Sequence, residues 1–507
     1  MARTMPAMSL AIVHTRALDG MHAPPVVVEV HLANGLPAFS LVGLPDTEVR
    51  EARDRVRSAI QTSQFDFPAR RITVNLAPAD LPKESGRFDL AIALGILAAS
   101  EQVRGEALVG HEFVGELSLT GALRPVRGTL AMALQAREAG RRLVLPADSA
   151  VEAALVRGAE LLGADSLLAV AAHLNGHAAL SAPVAPPLPD SLGGGPDLAD
   201  VKGQAEARRA LEVAAAGGHS LLLYGAPGTG KSMLAQRLPG ILPPMSEEEA
   251  IAAAAIHSLQ GGWDVRRWGQ RAYRAPHHSA SVAAVIGGGS VPTPGEISLA
   301  HQGVLFLDEL PEFDRRVLEA LREPLETGHV NVARARRRAA FPARFQLVAA
   351  MNPCPCGHLG DPRGRCRCTP DQVARYRGKL SGPLLDRIDL TLEVPPLSAL
   401  EMQSGVAGES SAAVRERVSR ARQRAVVRQG VPNAALEGTA LRRHCALDTV
   451  GRQVLARAVD VLGLSARGHD RILRVARTLA DLADQEVIGR AQVAEAVQYR
   501  RASPGCS

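Results

Sequence analysis

Aromatic residues are scarce in this sequence and supply only 3% of its 507 residues. Single-stranded nucleic acid is often bound by stacking its bases on exposed rings, and a chain with so few rings is poorly suited to that mode. Hydrophobic residues still make up 46% of the chain, so we expect cores built mainly from Ala, Leu and Val.

Apolar runs long enough to cross a membrane are also missing. No run approaches the roughly 20 apolar residues that a membrane-spanning helix needs. The N-terminus lacks the charged segment, apolar run and cleavage site of a secretory signal. We therefore expect a cytoplasmic protein with no membrane partner. The six cysteines of so long a chain do not suggest a disulfide framework.

The charge balance is basic, with a formal net charge of +6. Such a balance suits an anionic partner such as nucleic acid. It is equally compatible with a basic, solvated surface, so charge alone does not decide between the two.

The length of the chain predicts about three domains. Residues 1–180 alternate β-rich and helical runs and are predicted to form the first domain. Residues 181–200 are rich in Pro and Gly and predict a linker. Residues 201–397 carry an alternating α/β pattern that predicts a parallel sheet. Residues 398–507 are predicted to form a helical C-terminal domain.

A glycine-rich loop with the spacing of a nucleotide-binding P-loop follows a short apolar segment. The order SLLLY, GAPGTGKS and MLAQRL predicts a strand, a loop and a helix. The glycines let backbone N–H groups turn towards phosphates, Lys231 can reach the terminal phosphates, and Ser232 can hold Mg²⁺. The predicted nucleotide-binding residues are Gly225, Ala226, Pro227, Gly228, Thr229, Gly230, Lys231, Ser232 and Met233.

Two further apolar segments end in polar residues suited to ATP hydrolysis. Residues 304–307 predict a buried strand that delivers Asp308 and Glu309 to the edge at which open α/β sheets bind ligands. Asp308 is predicted to complete the magnesium shell and Glu309 to orient the attacking water. The segment FQLVAAMNP ends in Asn352, whose amide can bond the water or the γ-phosphate. The alternative role of Asn352 is to start the turn before the next proline.

Arginines later in the chain are suited to the charge of a triphosphate. Arg387 lies between a helix-like and a strand-like segment and is predicted to be an arginine finger for a neighbouring subunit. Its alternative is an ion pair with Asp386 or Asp389. A later helical segment can bring Arg467 or Arg471 over the nucleotide, and we assign Arg467 to the site.

These elements, in this order, resemble the AAA+ superfamily and, within it, MCM helicases and magnesium chelatase ATPase subunits. The strings RAPHHSAS and PGEISLAH, within residues 271–303, are similar to those of the ComM/YifB family, and the resemblance covers nearly the whole chain. It implies an α/β fold: an AAA+ core with a helix-two insert, a C-terminal helical lid and a Lon-protease-like α+β domain in front. It also implies a hexameric motor that drives DNA branch migration during natural transformation.

The family's pore hairpin matches residues 329–345, where two strand-like arms surround a basic tip. The resemblance implies that this tip enters a central pore and contacts DNA phosphates, which are read without regard to sequence. The alternative is a solvated run of charge. The predicted DNA-binding residues are Arg334, Arg336, Arg337 and Arg338.

The first domain resembles Lon-type peptidases, which use a Ser nucleophile and a Lys base. Matching LPKESGRFDLAIAL to their motif puts Arg87 at the nucleophile position, and residues 128–130 contain no matching lysine. Ser85 and Lys83 are close in sequence, but adjacency in a loop is weak evidence for a catalytic pair. We therefore predict a non-proteolytic binding or assembly module.

Two C-x-C pairs surround a loop rich in Gly and Pro, directly after Asn352. Four thiolates can close a tetrahedral zinc site, and His358 can replace one of them. The C-x-C spacing is tighter than the usual C-x-x-C, and free thiols are the alternative. Bound zinc would brace a loop beside the ATP site. The predicted ligands are Cys354, Cys356, Cys366 and Cys368.

Three functions compete. The first is an ATP-driven hexamer that branch-migrates or unwinds single-stranded or branched DNA, with recombination proteins as further partners. The second is a magnesium-chelatase-like ATPase that remodels a protein partner without DNA. The third, a Lon-like protease, is disfavoured by the missing Ser–Lys pair. For the first we expect ATP and Mg²⁺ as cofactors, with zinc as a structural addition.

Overall fold

The chain folds into two compact units in the computed structural model. The first comprises Met1–Pro189 and Ile251–Trp268, and the second comprises Asp190–Ala250 and Gly269–Ser507. The domain boundaries drawn from composition stay predictions. The structure describes residues 10–19, 21–43, 47–79, 81, 83, 85–188, 195–260, 264–289, 292–334, 337–361, 363–397 and 408–501.

Seven strands of the first unit form a mixed sheet, and two shorter strands pair separately. The strands are β1 (Leu10–Arg16), β2 (Pro25–Ala33), β3 (Ala38–Val42), β4 (Arg71–Ala77), β5 (His111–Phe113), β6 (Glu116–Leu117), β7 (Leu123–Arg124), β8 (Arg142–Pro146) and β9 (Leu161–Ala164). Their order in the sheet is β3-β4-β2-β1-β5-β8-β9. Strands β2 and β4 alternate buried and more exposed residues, because only one face of the sheet covers a core.

Among the described residues, the helices that lie wholly within the first unit are α1 (Thr47–Thr62), α2 (Asp89–Ala99), α3 (Thr129–Glu138), α4 (Ala147–Ala153) and α5 (Leu167–Leu174). Helix α2 is apolar on all sides because it is buried on all sides. Its one charged residue, Asp89, accepts a hydrogen bond from Arg55 at 2.8 Å. Burial nevertheless raises the pKa of Asp89 to about 6, against the lowering effect of Arg55.

The strands of the second unit are β10 (Leu221–Tyr224), β11 (Tyr273–Arg274), β12 (Gly287–Gly288), β13 (Thr293–Pro294), β14 (Val304–Leu307), β15 (His329–Arg334), β16 (Arg337–Pro342), β17 (Gln346–Met351) and β18 (Leu390–Glu393). Five of them form a parallel sheet in the order β11-β14-β17-β10-β18. Every residue of β14 and β17 is buried. Continuous apolar runs are what a parallel sheet covered on both faces requires.

The remaining helices belong to the second unit, apart from most of α8, which lies in the first. They are α6 (Ala205–Gly217), α7 (Lys231–Ile241), α8 (Glu247–Gln260), α9 (Val282–Ile286), α10 (Glu296–Leu299), α11 (Arg315–Ala320), α12 (Arg322–Thr327), α13 (Pro370–Arg377), α14 (Gly382–Leu385), α15 (Ser411–Gln429), α16 (Gly438–His444), α17 (Thr449–Leu462), α18 (Ala466–Leu482) and α19 (Arg490–Arg501). One hydrophobic cluster joins residues of β10, α6 and α7 to residues of α15 and α18. Helices α15 and α18 of the C-terminal region are therefore packed against the elements of this sheet. One of the three boundaries between the two units falls within α8, whose Ala254 and Ala255 lie in a core cluster of the first unit.

The predicted fold class is confirmed: the chain is mixed α/β, with a parallel sheet and a helical C-terminal region. The buried strand predicted over residues 304–307 has these bounds in the structure. None of the helices in the described ranges is long and apolar enough to cross a membrane.

Candidate nucleotide site and cysteine cluster

Three adjacent parallel strands end together at one edge of the second unit's sheet. Tyr224, the last residue of β10, lies opposite Met351, the last residue of β17. Leu307, the last residue of β14, lies opposite Ala349 in β17. The P-loop, the Asp308–Glu309 pair and Asn352 therefore follow the strands at the same edge, with Asn352 directly after the central strand β17.

The P-loop has the backbone conformation that its glycines permit. Gly228 and Gly230 have φ angles of 78° and 91°, in the left-handed region that favours glycine. Helix α7 begins directly after Gly230, at Lys231. Its first N–H groups therefore face the loop, which is the arrangement that binds phosphates.

Lys231 is folded back into its own loop. Its Nζ donates to the carbonyl oxygens of Gly225 and Ala226, at 2.8 and 2.9 Å. It also lies 3.3 Å from Oδ1 of Asn352. Burial lowers the pKa of Lys231, and the charge of Asp308 opposes that shift. The P-loop lysine and Asn352 therefore lie together at this edge of the sheet.

Ser232 and Asp308 are in direct contact. The Ser232 hydroxyl donates to Oδ2 of Asp308 at 2.6 Å, and the Glu309 N–H donates to Oδ1 at 2.9 Å. Hydroxyl and carboxylate oxygens are the hard ligands that Mg²⁺ prefers, so this donor set fits the ion. The buried hydroxyl of Tyr273 has no hydrogen-bond partner among the described residues. Burial and the nearby Asp308 charge raise the pKa of that hydroxyl.

His278, within the RAPHHSAS string, contacts the residue that is predicted to orient the attacking water. Nδ1 of His278 lies 3.2 Å from Oε2 of Glu309. The ring of His277 packs on His278 with centroids 4.1 Å apart, while Nδ1 of His277 lies 2.7 Å from the hydroxyl of Ser279. Glu309 itself has φ of +51°, a conformation uncommon for a residue with a side chain. No local pattern in the sequence marks this contact, because it depends on the pairing of β11 with β14.

Arg387 does not pair with either aspartate considered in the sequence analysis. Its guanidinium contacts Glu326 and donates to the carbonyl oxygen of Pro383 at 2.6 Å. Asp386 and Asp389 instead face Arg500 and Arg471, at 3.9 and 3.5 Å. Within one chain, Arg387 is therefore tied to α12.

The two lid arginines differ in their surroundings. Arg471 is buried and its Nε lies 3.5 Å from Asp389, while burial lowers its pKa to about 10. Arg467 is exposed, one turn earlier in α18. Of the two, Arg467 is the one whose side chain faces solvent.

The hairpin is formed by β15 and β16, which pair antiparallel from His329 opposite Pro342 to Arg334 opposite Arg337. Its base is anchored, because Val330, Val332 and Phe341 are buried. Of the predicted DNA-binding residues, Arg334, Arg337 and Arg338 lie in the two strands near the tip. Arg336 lies outside the described residues.

The four predicted zinc ligands form one cluster. Their Sγ atoms all lie within 4.8 Å of one another, and His358 is not in this group. Three of the sulfur pairs are 3.4, 3.6 and 3.8 Å apart. Zn–S bonds of about 2.3 Å place the sulfurs of a tetrahedral site about 3.8 Å apart, so the donor set fits zinc. A disulfide would need about 2.05 Å.

Backbone groups favour the thiolate form of Cys356, whereas burial and the neighbouring cysteines raise the pKa of Cys366 and Cys368. The N–H groups of His358 and Arg367 lower the pKa of Cys356 to about 6. Thiolate sulfur is the form that binds metal. The described part of the chain has no other group of three or more potential ligands of this kind.

Ser85 and Lys83, the candidate serine–lysine pair of the first unit, each bond to another residue. The Ser85 hydroxyl accepts a hydrogen bond from Nε of Arg87 at 2.8 Å. The buried Lys83 ammonium donates to the carbonyl oxygen of Pro78. This arrangement agrees with a non-proteolytic role, which stays a prediction.

Three family models match the chain in succession. The model described as subunit ChlI of Mg-chelatase matches residues 28–149. The model described as magnesium chelatase, subunit ChlI, matches residues 197–402, and the one for its C-terminal part matches residues 408–500. The second match spans the P-loop, the Asp308–Glu309 pair and the cysteine cluster.

Individual relatives cover nearly the whole chain. The YifB protein of Salmonella typhimurium is 53% identical over 97% of this chain and 97% of its own. The competence protein ComM of Haemophilus influenzae is 51% identical over 97% of this chain and 98% of its own. The magnesium-chelatase 38 kDa subunit of Cereibacter sphaeroides is 23% identical over 58% of this chain and 87% of its own. The chain therefore belongs, as its motifs predict, to the ComM/YifB family of magnesium-chelatase-like AAA+ ATPases.

Proposed function

We propose that this protein is an ATP-driven DNA motor that promotes branch migration or unwinding of recombination intermediates. One observation carries the proposal: an assembled P-loop and acidic pair share a unit with a hairpin whose tip is rich in arginine. The relative ComM is named for competence, the state in which cells take up DNA. We propose a homo-oligomer, a hexamer, as the working form in the cytoplasm, with recombination proteins as further partners.

The hydrolysis step follows from the site's side chains. Ser232 and Asp308 would hold Mg²⁺, which neutralises phosphate charge when bound. Lys231 exchanges its two carbonyl contacts for phosphate oxygens, and the N–H groups of the loop cover the remaining oxygens. Glu309 orients the attacking water and accepts its proton, while Asn352 supplies an uncharged hydrogen bond beside it.

The path from hydrolysis to DNA runs through one stretch of backbone. Strand β16 ends at Pro342, and β17 begins at Gln346 and leads to Asn352. The N–H of Arg344 donates to the His301 ring at 3.0 Å, just before β14. A change at the phosphate site thus has a short, packed route to the hairpin. Its arginines would then move along DNA phosphates.

We propose that Arg387 and Arg467 stabilise the negative charge of the γ-phosphate. Arg387 would act across a subunit boundary, leaving its contact with Glu326 when the neighbouring nucleotide is bound. Arg467 would act from the lid, since its side chain is exposed. We also include zinc in the four-cysteine cluster as a structural cofactor.

A second candidate is an ATPase that remodels a protein partner without DNA. The matching family models carry the magnesium chelatase name, and this favours that alternative. The two candidates share the ATP chemistry and differ in what the hairpin touches. A DNA assay therefore separates them.

Replacing Lys231 with alanine should abolish ATP turnover. Without the ammonium, the terminal phosphates lose a charge-assisted bond, and we expect kcat to fall at least about 100-fold. Lys202→Ala is the matched control, because Lys202 is exposed. Steady-state phosphate release and a thermal melt check the result. A folded Lys231→Ala protein with normal turnover would refute the assigned site.

His278→Ala should lower kcat for ATP hydrolysis while leaving KM nearly unchanged. His278 contacts Glu309, so its loss should affect the base rather than nucleotide binding, by roughly tenfold. His278→Asn keeps an N–H donor and should recover part of the rate. His277→Ala is the control, because His277 packs on His278 but bonds Ser279. A change confined to KM would contradict this role.

The DNA role is tested by strand exchange on a four-way junction with ATP. We expect junction DNA to stimulate ATP hydrolysis by the wild-type protein, and we expect that protein to convert the junction into exchanged products. The Lys231→Ala protein should show neither the stimulation nor the strand exchange. Changing the four hairpin arginines to glutamine should weaken DNA binding. The slope of the logarithm of the binding constant against the logarithm of the salt concentration should become less steep by about 0.7–0.9 for each lost phosphate contact. The variant changes Arg334, Arg336, Arg337 and Arg338.

A second fourfold variant removes the same charge elsewhere in the second unit, from exposed arginines. It should keep nearly the wild-type salt slope. The protein-remodelling candidate would instead be supported if DNA did not change the rate of ATP turnover and the two fourfold variants changed DNA binding equally. The control changes Arg420, Arg442, Arg443 and Arg457 to glutamine.

A further inference from the structure

The cysteine cluster is seated directly on the phosphate-binding loop. Gly357, between the two C-x-C pairs, has φ of +78° and packs against the ring of Pro227. A Cβ placed on Gly357 would lie 2.5 Å from Cγ and 2.6 Å from Cδ of Pro227. No side chain fits there without moving one of the two loops. We infer that metal bound by the four cysteines holds the P-loop in its nucleotide-binding shape.

The N-terminal end of the cluster is tied to the sheet. Cys354 is fully buried and lies two residues after Asn352, which contacts Lys231. The Gly357 N–H donates to the Cys354 carbonyl oxygen at 2.9 Å and closes a turn that contains two of the ligands. The position of Gly357 against Pro227 is therefore set by the cluster.

The C-terminal end is also fixed. Thr369 follows the last cysteine and caps α13 together with Gln372 in a reciprocal pair of hydrogen bonds. From the end of α13, Nε of Arg377 donates to the Pro353 carbonyl oxygen at 3.3 Å. The loop thus begins and ends at anchored points.

Between these anchors the loop has almost no core of its own. Of its described residues from 354 to 368, only Cys354 and Gly357 are buried. A segment with so little apolar burial needs a cross-link to keep one shape, and a four-thiolate metal site supplies one. Zn²⁺ is the ion that the tetrahedral sulfur spacing fits. Loss of the metal would free Gly357 and release Pro227.

This inference rests on the proposed ATP function, and it is tested without turnover. Zinc per chain is measured by elemental analysis, and affinity is measured by titrating the full-length protein with the fluorescent nucleotide mant-ADP and Mg²⁺. We expect about one zinc per wild-type chain. Cys366→Ser and Cys368→Ser should lose zinc and bind mant-ADP roughly tenfold more weakly. Cys445→Ala, which removes a buried thiol outside the cluster, should change neither value.

A pair of glycine variants separates the contact from the metal. Gly357→Ala should keep zinc and still weaken mant-ADP binding by roughly tenfold, because its methyl group displaces Pro227. Gly360→Ala is matched, since Gly360 has φ of +84° but open space around it, and it should keep both zinc and affinity. This pair remains informative if the cysteine variants fail to fold.

Three results would overturn the inference: wild-type protein without zinc, zinc-free variants with normal affinity, or equal affinities for the two glycine variants. Wild-type protein that binds zinc but no mant-ADP would instead sink the proposed ATP function, and the inference with it. The two failures are thus distinguishable.

Discussion

The contact between the Ser232 hydroxyl and the Asp308 carboxylate is the constraint on which the rest of the site depends. The two oxygens are 2.6 Å apart although 76 residues separate them in sequence. The parallel sheet, in which β10 and β14 flank β17, brings them together. The fully buried side chains of β14 and β17 hold that register, because a slip would move Asp308 away from the loop.

Around that contact, each neighbouring element restrains one chemical group. Lys231 is held by carbonyl oxygens of its own loop, Glu309 by His278, and Pro227 by the turn at Gly357. These restraints come from different parts of the chain: the insert before β14, the loop after β17 and the P-loop itself. In the proposed mechanism, such preorganisation would place charge where the transition state needs it, without reorganisation during the reaction.

Local pattern was sufficient to predict much of the fold and part of the site. The apolar runs of β14 and β17 and the glycine spacing before α7 are signals contained within a dozen residues. The four cysteines also lie close in sequence, and their convergence requires only a tight loop. Burial alternates along β2 and β4 because successive side chains of a strand point to opposite faces of the sheet.

The remaining features depend on tertiary packing, which no local pattern encodes. Arg387 contacts Glu326, 61 residues earlier, whereas sequence proximity had suggested Asp386 or Asp389. The contact of His278 with Glu309 requires knowing that β11 pairs with β14. Nor does composition signal that Ile251–Trp268 belongs to the first compact unit. Each case is a long-range choice among several chemically acceptable partners.

The most direct test of the account locates the metal itself. Crystals grown with Mn²⁺ and a non-hydrolysable ATP analogue would give an anomalous scattering peak for the ion. The account predicts one peak between the Ser232 hydroxyl, the Asp308 carboxylate and the phosphates, with Lys231 turned from its carbonyl oxygens to the phosphate chain. A nucleotide bound with its metal away from Asp308, or with Lys231 still on its own loop, would contradict it.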